Sequence, residues 1–122
     1  LKNTRKRARD CLQDNVKKET TLKLISCTPE FYKKWFEFQF TPWMNWNNYG
    51  TYWEIDHVKP CKLFDLSKKE ERLTCLHWKN TRPLEKNKNV LKGAQYTHKI
   101  QLLHDITLQT FLNQHGKNVK NE

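Results

Sequence analysis

Asp56 and His57 stand side by side in Trp53-Glu-Ile-Asp-His-Val-Lys-Pro60, at the end of a run that alternates like a strand. Successive strand residues point to opposite faces, so this end presents a carboxylate on one side and an imidazole on the other. The carboxylate can hold a hard cation while the imidazole faces a water beyond it. Asn89, on the first turn of a helix following Asn80-Thr-Arg-Pro-Leu84, offers an amide oxygen that could complete the cation site. Oxygen donors suit Mg²⁺, which binds few protein groups, keeps waters and accepts substrate phosphates. With no thiolate in the set, soft-metal selectivity has no basis. A positioned base, a cation on the developing charge and a basic groove are the parts that phosphodiester cleavage needs. Arg82, Lys88 and Lys92 lie in the same stretch and could contact phosphates. Asn87 is a second amide nearby, and because residues i and i+2 of a helix do not share a face the two would not serve one site.

The elements that must position these groups can be read from the pattern. Leu1 to Asn15 is basic and reads as helical; Lys2, Arg5, Lys6, Arg7 and Arg9 make it either a solvated face or a DNA-contacting arm. Thr28-Pro29-Glu30 predicts a helix start, with Thr28 as cap and Pro29 at the first helical position. Phe31, Trp35 and Phe38 then recur on one face through about Phe40, predicting a core stripe. Asn45 to Gly50 is turn-rich. Thr51 to Asp56 reads as a strand, with Trp53 and Ile55 on one side. Ser67 is expected to cap a charged helix from Lys68 to about His77, with Leu73 and Leu76 inward. Asn80 to Leu84 reads as extended and interrupted by Pro83, and Glu85 to Lys92 as a helix ended by Gly93. From Thr97 to Gln114, Ile100, Leu103, Ile106 and Phe111 stand at spacings that suit a helix. His98, His104 and His115 are expected at the surface, and His77 in packing beside Trp78.

At 122 residues the chain fits one domain, and its 5 Trp, 6 Phe and 4 Tyr exclude disorder, because aromatics supply large buried areas. Lys and Arg number 23 against 13 Asp and Glu, a net charge of +10 that favours a polyanionic partner. Charge alone does not choose between DNA, RNA and acidic lipid. No apolar run approaches the roughly 18 residues of a membrane span, and no signal-peptide core is expected at the N-terminus. The start at Leu1 rather than Met suits a fragment or a processed product. Cys11, Cys27, Cys61 and Cys75 are spaced 16, 34 and 14 apart, without the paired cysteines of a zinc ribbon. They are expected as buried, reduced thiols, which points to an intracellular site of action, cytoplasmic in a host cell or nuclear. No structural zinc is expected.

Asp56-His57-Val58-x-Pro60, Asn80 23 residues after His57 and Asn89 9 residues further on resemble the HNH motif of the ββα-metal, or His-Me finger, nucleases. The wider text, with Cys27-Thr-Pro-Glu30, Gln39-Phe40, Met44-Asn-Trp-Asn-Asn-Tyr-Gly50, Phe64-Asp-Leu66 and Asn80-Thr-Arg-Pro-Leu84, is similar to stand-alone HNH endonucleases of phages and large DNA viruses. The resemblance implies an α+β fold: a short antiparallel hairpin plus a helix gripping one divalent cation, Mg²⁺ with Mn²⁺ as substitute, wrapped by N- and C-terminal helices. It spans residues 25–93 of a single domain, between a basic segment (1–24) and a helical tail (94–122). His57 is implied as the general base, Asp56 and Asn89 as metal ligands, and Asn80 as the residue that pins the loop and orients His57. The implied partner is DNA, cleaved to 5′-phosphate and 3′-hydroxyl ends by a monomer or homodimer. A non-catalytic DNA-binding module on the same scaffold, or an RNA-directed or toxin nuclease, is the alternative.

Overall fold

Thr28 caps α1 (Pro29–Gln39): its Oγ1 accepts a hydrogen bond from the Phe31 N–H at 3.2 Å, and Pro29 occupies the first turn, where a missing N–H costs nothing. The computed structural model describes residues 25–88 and 95–115. Phe31, Tyr32, Trp35 and Phe36 are all buried on α1, a wider stripe than Phe31, Trp35 and Phe38 alone predict; Phe38 packs at its edge. Trp78 and Phe111 close the other side of this core. Edge-to-face contacts join Phe31 to Trp78 at 5.0 Å, Trp35 to Trp78 at 5.3 Å and Phe31 to Phe111 at 5.4 Å between ring centroids. Burying each such ring is worth about 1.5–3 kcal/mol, and well-oriented ring pairs add roughly 0.5–1.5 kcal/mol.

The polar run after α1 is structural. Asn45 Oδ1 accepts from the N–H groups of Asn47 and Asn48, capping a 3₁₀ turn (Trp46–Asn48), while Asn48 Oδ1 accepts from the Asn45 N–H in return. The Asn45 carbonyl then takes the indole N–H of Trp53 at 2.8 Å, which ties this turn to the start of the sheet. Gly50 sits at φ +92°, a left-handed conformation that only glycine adopts freely, and its N–H reaches the Trp53 carbonyl at 2.7 Å.

Two strands, β1 (Trp53–His57) and β2 (Thr81–Glu85), pair antiparallel, with Trp53 opposite Glu85, Asp56 opposite Arg82 and His57 opposite Thr81. The fold is therefore α+β, with a two-stranded antiparallel sheet among helices. Hydrogen bonds from Val58 N to Asn80 O and from Lys86 N to Tyr52 O set the phase of the ladder. In that phase Pro83, opposite Ile55, falls at a non-hydrogen-bonded position where the ladder asks for no N–H. Pro83 accordingly lies inside β2 and does not interrupt it, contrary to the expectation from sequence.

Residues 58–80 connect the strands and include a 3₁₀ turn (Cys61–Leu63), α2 (Lys69–Leu76) and a second 3₁₀ turn (Trp78–Asn80). Ser67 does not cap α2. Its N–H and Oγ–H both donate to Asp65 Oδ1, and those bonds hold the Asp65 carboxyl below its ordinary pKa. Leu76 is buried as expected, but Leu73 is exposed and Cys75 takes the inward position.

The last described helix is α3 (His98–His115), started by Thr97 Oγ1 accepting from the Ile100 N–H. Its inward face carries His104, Leu108, Phe111 and Leu112, whereas Leu103 and Ile106 are exposed. The helix expected from their spacing is present, with Leu103 and Ile106 off its inward face. No helix among the described residues is long and apolar enough to cross a membrane.

Candidate functional site

The hydrogen bonds that α1 side chains make to the sheet converge next to His57. Its cross-strand partner Thr81 is fully buried: Thr81 Oγ1 accepts from the Tyr32 hydroxyl at 2.9 Å and donates to the Trp78 carbonyl at 2.8 Å, while its own carbonyl takes the Trp35 indole N–H at 2.9 Å. Two side chains of α1 therefore end on one residue of β2. By strand alternation His57 shares a side with Trp53 and Ile55, and Asp56 lies on the other side with Arg82. Both are more enclosed than sequence suggests, with Asp56 3% and His57 6% exposed.

Asn80 closes the connection on the far side of His57. Its Oδ1 accepts from the Lys59 N–H at 3.0 Å, and its Nδ2 donates to the carbonyls of Lys59 at 3.1 Å and Cys75 at 3.2 Å. Its backbone carbonyl accepts from Val58 N at 2.8 Å. One side chain thus bridges the backbone just after His57 and the end of α2. Replacing it with Ala removes three hydrogen bonds to part-buried backbone, at roughly 1–3 kcal/mol for polar groups left unpaired. Asn80→Ala is expected to lower the unfolding midpoint in urea accordingly, and Asn80→Asp, which keeps the acceptor but not the donors, to fall between it and the parent chain. A parent-like midpoint for Asn80→Ala would remove the bracing role.

Asp56 meets Arg82 across the ladder, with Nε donating to Oδ2 at 2.9 Å. Arg82 is 23% exposed in its side chain against 4% for Asp56, so the pair brings a cation from the solvent edge to a buried anion. A buried carboxylate is costly without a partner, and a hard cation is a second way of meeting that cost. In kind, then, Asp56 fits an oxygen-binding divalent ion. The proposed second ligand, Asn89, lies outside the described residues. Among the described residues no group of three or more His, Cys, Asp and Glu is arranged to hold a metal, and one carboxylate with one amide is smaller than such a set.

Of the phosphate-contacting candidates, Arg82 stands at Asp56, and Lys88 is exposed on the helical turn 86–88 that directly follows β2, as is Asn87. Arg5, Lys6, Arg7, Arg9 and Lys92 lie outside the described residues. A cleft of about 420 Å³ borders Asn80, lined by Lys59, Phe64, Thr74, His77 and Gln101 among others; neither Asp56 nor His57 lines it.

His104 is the residue that sequence reading misplaced. It is 5% exposed, its ring lies edge-on to Trp35 at 5.5 Å, and its Nε2 lies 2.7 Å from the Lys79 carbonyl, which can only accept; Nε2 therefore carries the proton. That bond fastens α3 to the residue before Asn80. Burial holds the His104 pKa below its ordinary value; the bond to the Lys79 carbonyl opposes this, the Arg82 charge adds a smaller depression, and Asp105 and Asp56 oppose it more weakly still. A depressed histidine pKa means that the unfolded chain binds the proton more readily, so this contribution is intact above about pH 6.5 and is lost as pH falls through the lower folded value. His104→Leu is expected to flatten stability against pH below about 6.5. Urea melts at pH 5.5 and 7.5 test this, and an unchanged pH dependence would reject it. His98 is exposed as expected, whereas His115 is half-buried and stacks on Phe111 at 4.7 Å. His77 packs beside Trp78 and accepts the Lys79 N–H on Nδ1.

The chain is similar to two proteins of Acanthamoeba polyphaga mimivirus. It is 40% identical over 100 residues to uncharacterized protein L246, an overlap covering 82% of this chain and 44% of that protein. It is 52% identical over 62 residues to uncharacterized protein L426, covering 51% of this chain and 27% of that protein. The chain spans less than half the length of these curated relatives. No family model and no solved structure matches it.

Proposed function

We propose that this chain is an HNH-type endonuclease domain that hydrolyses DNA phosphodiesters with His57 as general base, leaving 5′-phosphate and 3′-hydroxyl ends. The observation that carries the reading is the closure around Asp56-His57: a buried Asp–His pair ends β1, and Asn80 stitches the chain immediately beyond it to α2. That bracing costs several buried polar groups and is more than a two-stranded sheet needs to pair. It supports a site in which His57 must hold one orientation. The β1–connection–β2 order, followed by a helical turn at 86–88, supports the ββα-metal arrangement.

In this reading His57, almost wholly buried, takes a proton from the attacking water. Asp56 and Asn89 would hold a divalent cation, Mg²⁺ or Mn²⁺, which would supply Lewis-acid stabilisation of the charge that develops on the phosphate. Arg82 keeps Asp56 paired, and Lys88 and Lys92 contribute phosphate contacts in this reading. Arg5, Lys6, Arg7 and Arg9 add affinity without choosing sequence, since phosphate contacts carry no base information. The test is incubation of the purified chain with duplex, nicked, branched and single-stranded DNA, and with RNA, with Mg²⁺ or with EDTA. Cleavage of DNA in Mg²⁺ alone is expected. Tight DNA binding without cleavage under any condition would favour the non-catalytic module, and cleavage confined to RNA the RNA-directed alternative.

A further inference from the structure

Cys61 and Cys75 are thiols whose sulfurs touch at 2.6 Å, although they are 14 residues apart. Cys61 opens the 3₁₀ turn just after Pro60 and is half-buried; Cys75 is fully buried in the last turn of α2. Their placement repeats that of Asn80. The Asn80 amide joins Lys59, two residues before Cys61, to the carbonyl of Cys75 itself. The two sulfurs and the one amide therefore bridge the same pair of chain segments. We propose that Cys61 and Cys75 form a reversible disulfide that covalently closes the connection which Asn80 closes by hydrogen bonds, making this a redox-modification site. The proposal does not depend on the catalytic reading.

The chemistry needs an oxidant, and a low-molecular-weight disulfide such as oxidised glutathione supplies it. Cys61, the more exposed sulfur, attacks as thiolate, forming a mixed disulfide and releasing one glutathione thiolate. The bond to Cys61, followed by burial, holds the Cys75 thiol well above the ordinary thiol range, which makes Cys61 the entry point. Once Cys61 is in the mixed disulfide, its thiol no longer raises Cys75. Cys75 then attacks the Cys61 sulfur, its proton passing to the departing glutathione sulfur, so that the second glutathione leaves as a thiol. Two protein thiols are oxidised and one glutathione disulfide is reduced to two thiols. A bonded pair of sulfurs lies at roughly 2.05 Å, so the movement required from the thiol contact is small.

The closed loop is short, and a cross-link of this size is expected to raise Tm by about 10 °C. The disulfide should also take over part of the work of Asn80, so that the loss in Tm from Asn80→Ala shrinks by at least about half on oxidation. The experiment uses the full chain carrying Cys11→Ser and Cys27→Ser, equilibrated in oxidised or reduced glutathione. Non-reducing peptide mapping identifies cross-links, and melting is followed with and without Asn80→Ala. A Cys61–Cys75 cross-linked peptide, with the upward shift and the smaller Asn80→Ala loss, is the expected result. Cys61→Ser should show no shift, and the comparison of the two redox forms of the parent needs no further variant to fold. Thiols that remain open to alkylation, a glutathione adduct that persists on Cys61, or a cross-link that leaves both melting differences unchanged would overturn the proposal.

Discussion

His57→Ala is expected to cleave DNA roughly 10²–10⁴-fold more slowly than the parent chain, the usual cost of removing a general base. The imidazole ends β1 beside the Asn80 brace, where its position is set by Thr81 across the ladder and by the Val58 bond to Asn80. Removing it leaves that backbone unchanged, so the loss belongs to chemistry and not to assembly of the site. Because His57 is only 6% exposed, Ala also leaves a space, and a modest loss of stability accompanies the loss of rate. His57→Gln separates the two effects: it fills much of the space and can hydrogen-bond, but it cannot accept a proton at neutral pH. Single-turnover cleavage, DNA affinity and melting are measured on all three proteins. If either variant that still folds and binds DNA kept most of the parent rate, His57 would not be the base.

Asp56→Asn is expected to lose at least roughly 10²–10³-fold in cleavage, since a cation on the phosphate is worth several kcal/mol of transition-state stabilisation. The substitution keeps an oxygen for the Arg82 Nε–H, now 2.9 Å from Oδ2, and removes only the charge. Its melting temperature should therefore stay closer to the parent than that of Asp56→Ala, which leaves Arg82 without this acceptor. Arg82→Ala has the opposite signature: it takes a cationic partner from a buried carboxylate, and breaking a buried pair from that side costs roughly 3–5 kcal/mol where solvent cannot enter, less at this partly open edge. Mn²⁺ titration in the presence of uncleavable DNA reads the cation directly. Asp56→Asn should weaken that binding strongly, and Asn89→Ala partially, with activity partly restored at high metal. Parent-like Mn²⁺ affinity in Asp56→Asn, or full cleavage by the parent chain in EDTA, would overturn the assignment.

Local signals carried the elements that local chemistry controls. Thr28-Pro29 marked the start of α1 because capping is settled within one turn of chain, and the alternation of Trp53 and Ile55 marked β1 because a period of two needs no partner to be visible. Adjacency of Asp56 and His57, and their spacing to Asn80, was likewise open to inspection. What could not be read was which face of an element meets the core when several faces carry apolar residues. In α3, Leu103 and Ile106 look like core, yet the face that Phe111 shares with His104 is the one turned inward, because Trp35 and Trp78 offer that face rings and the Lys79 carbonyl offers a partner for the imidazole. A histidine scores as polar in any pattern, and only a tertiary hydrogen bond makes its burial favourable.

Pro83 and Cys75 teach the same lesson from opposite directions. Proline argued against a strand until the register with Ile55 put it where no N–H is needed, and register is a property of two segments held together by Val58, Asn80, Tyr52 and Lys86. Cys61 and Cys75, 14 residues apart, showed no pattern because their contact depends on α2 folding back against the turn after β1. The sequence by itself determined the chemical groups, their order and the capped start of α1, since these follow from bonded neighbours and short-range capping. Tertiary structure alone decided that Asp56 meets Arg82, that Asn80 bridges Lys59 to Cys75 and that Thr81 anchors the sheet to α1, because each of these contacts closes a loop whose entropic cost is repaid only when the whole aromatic core is in place.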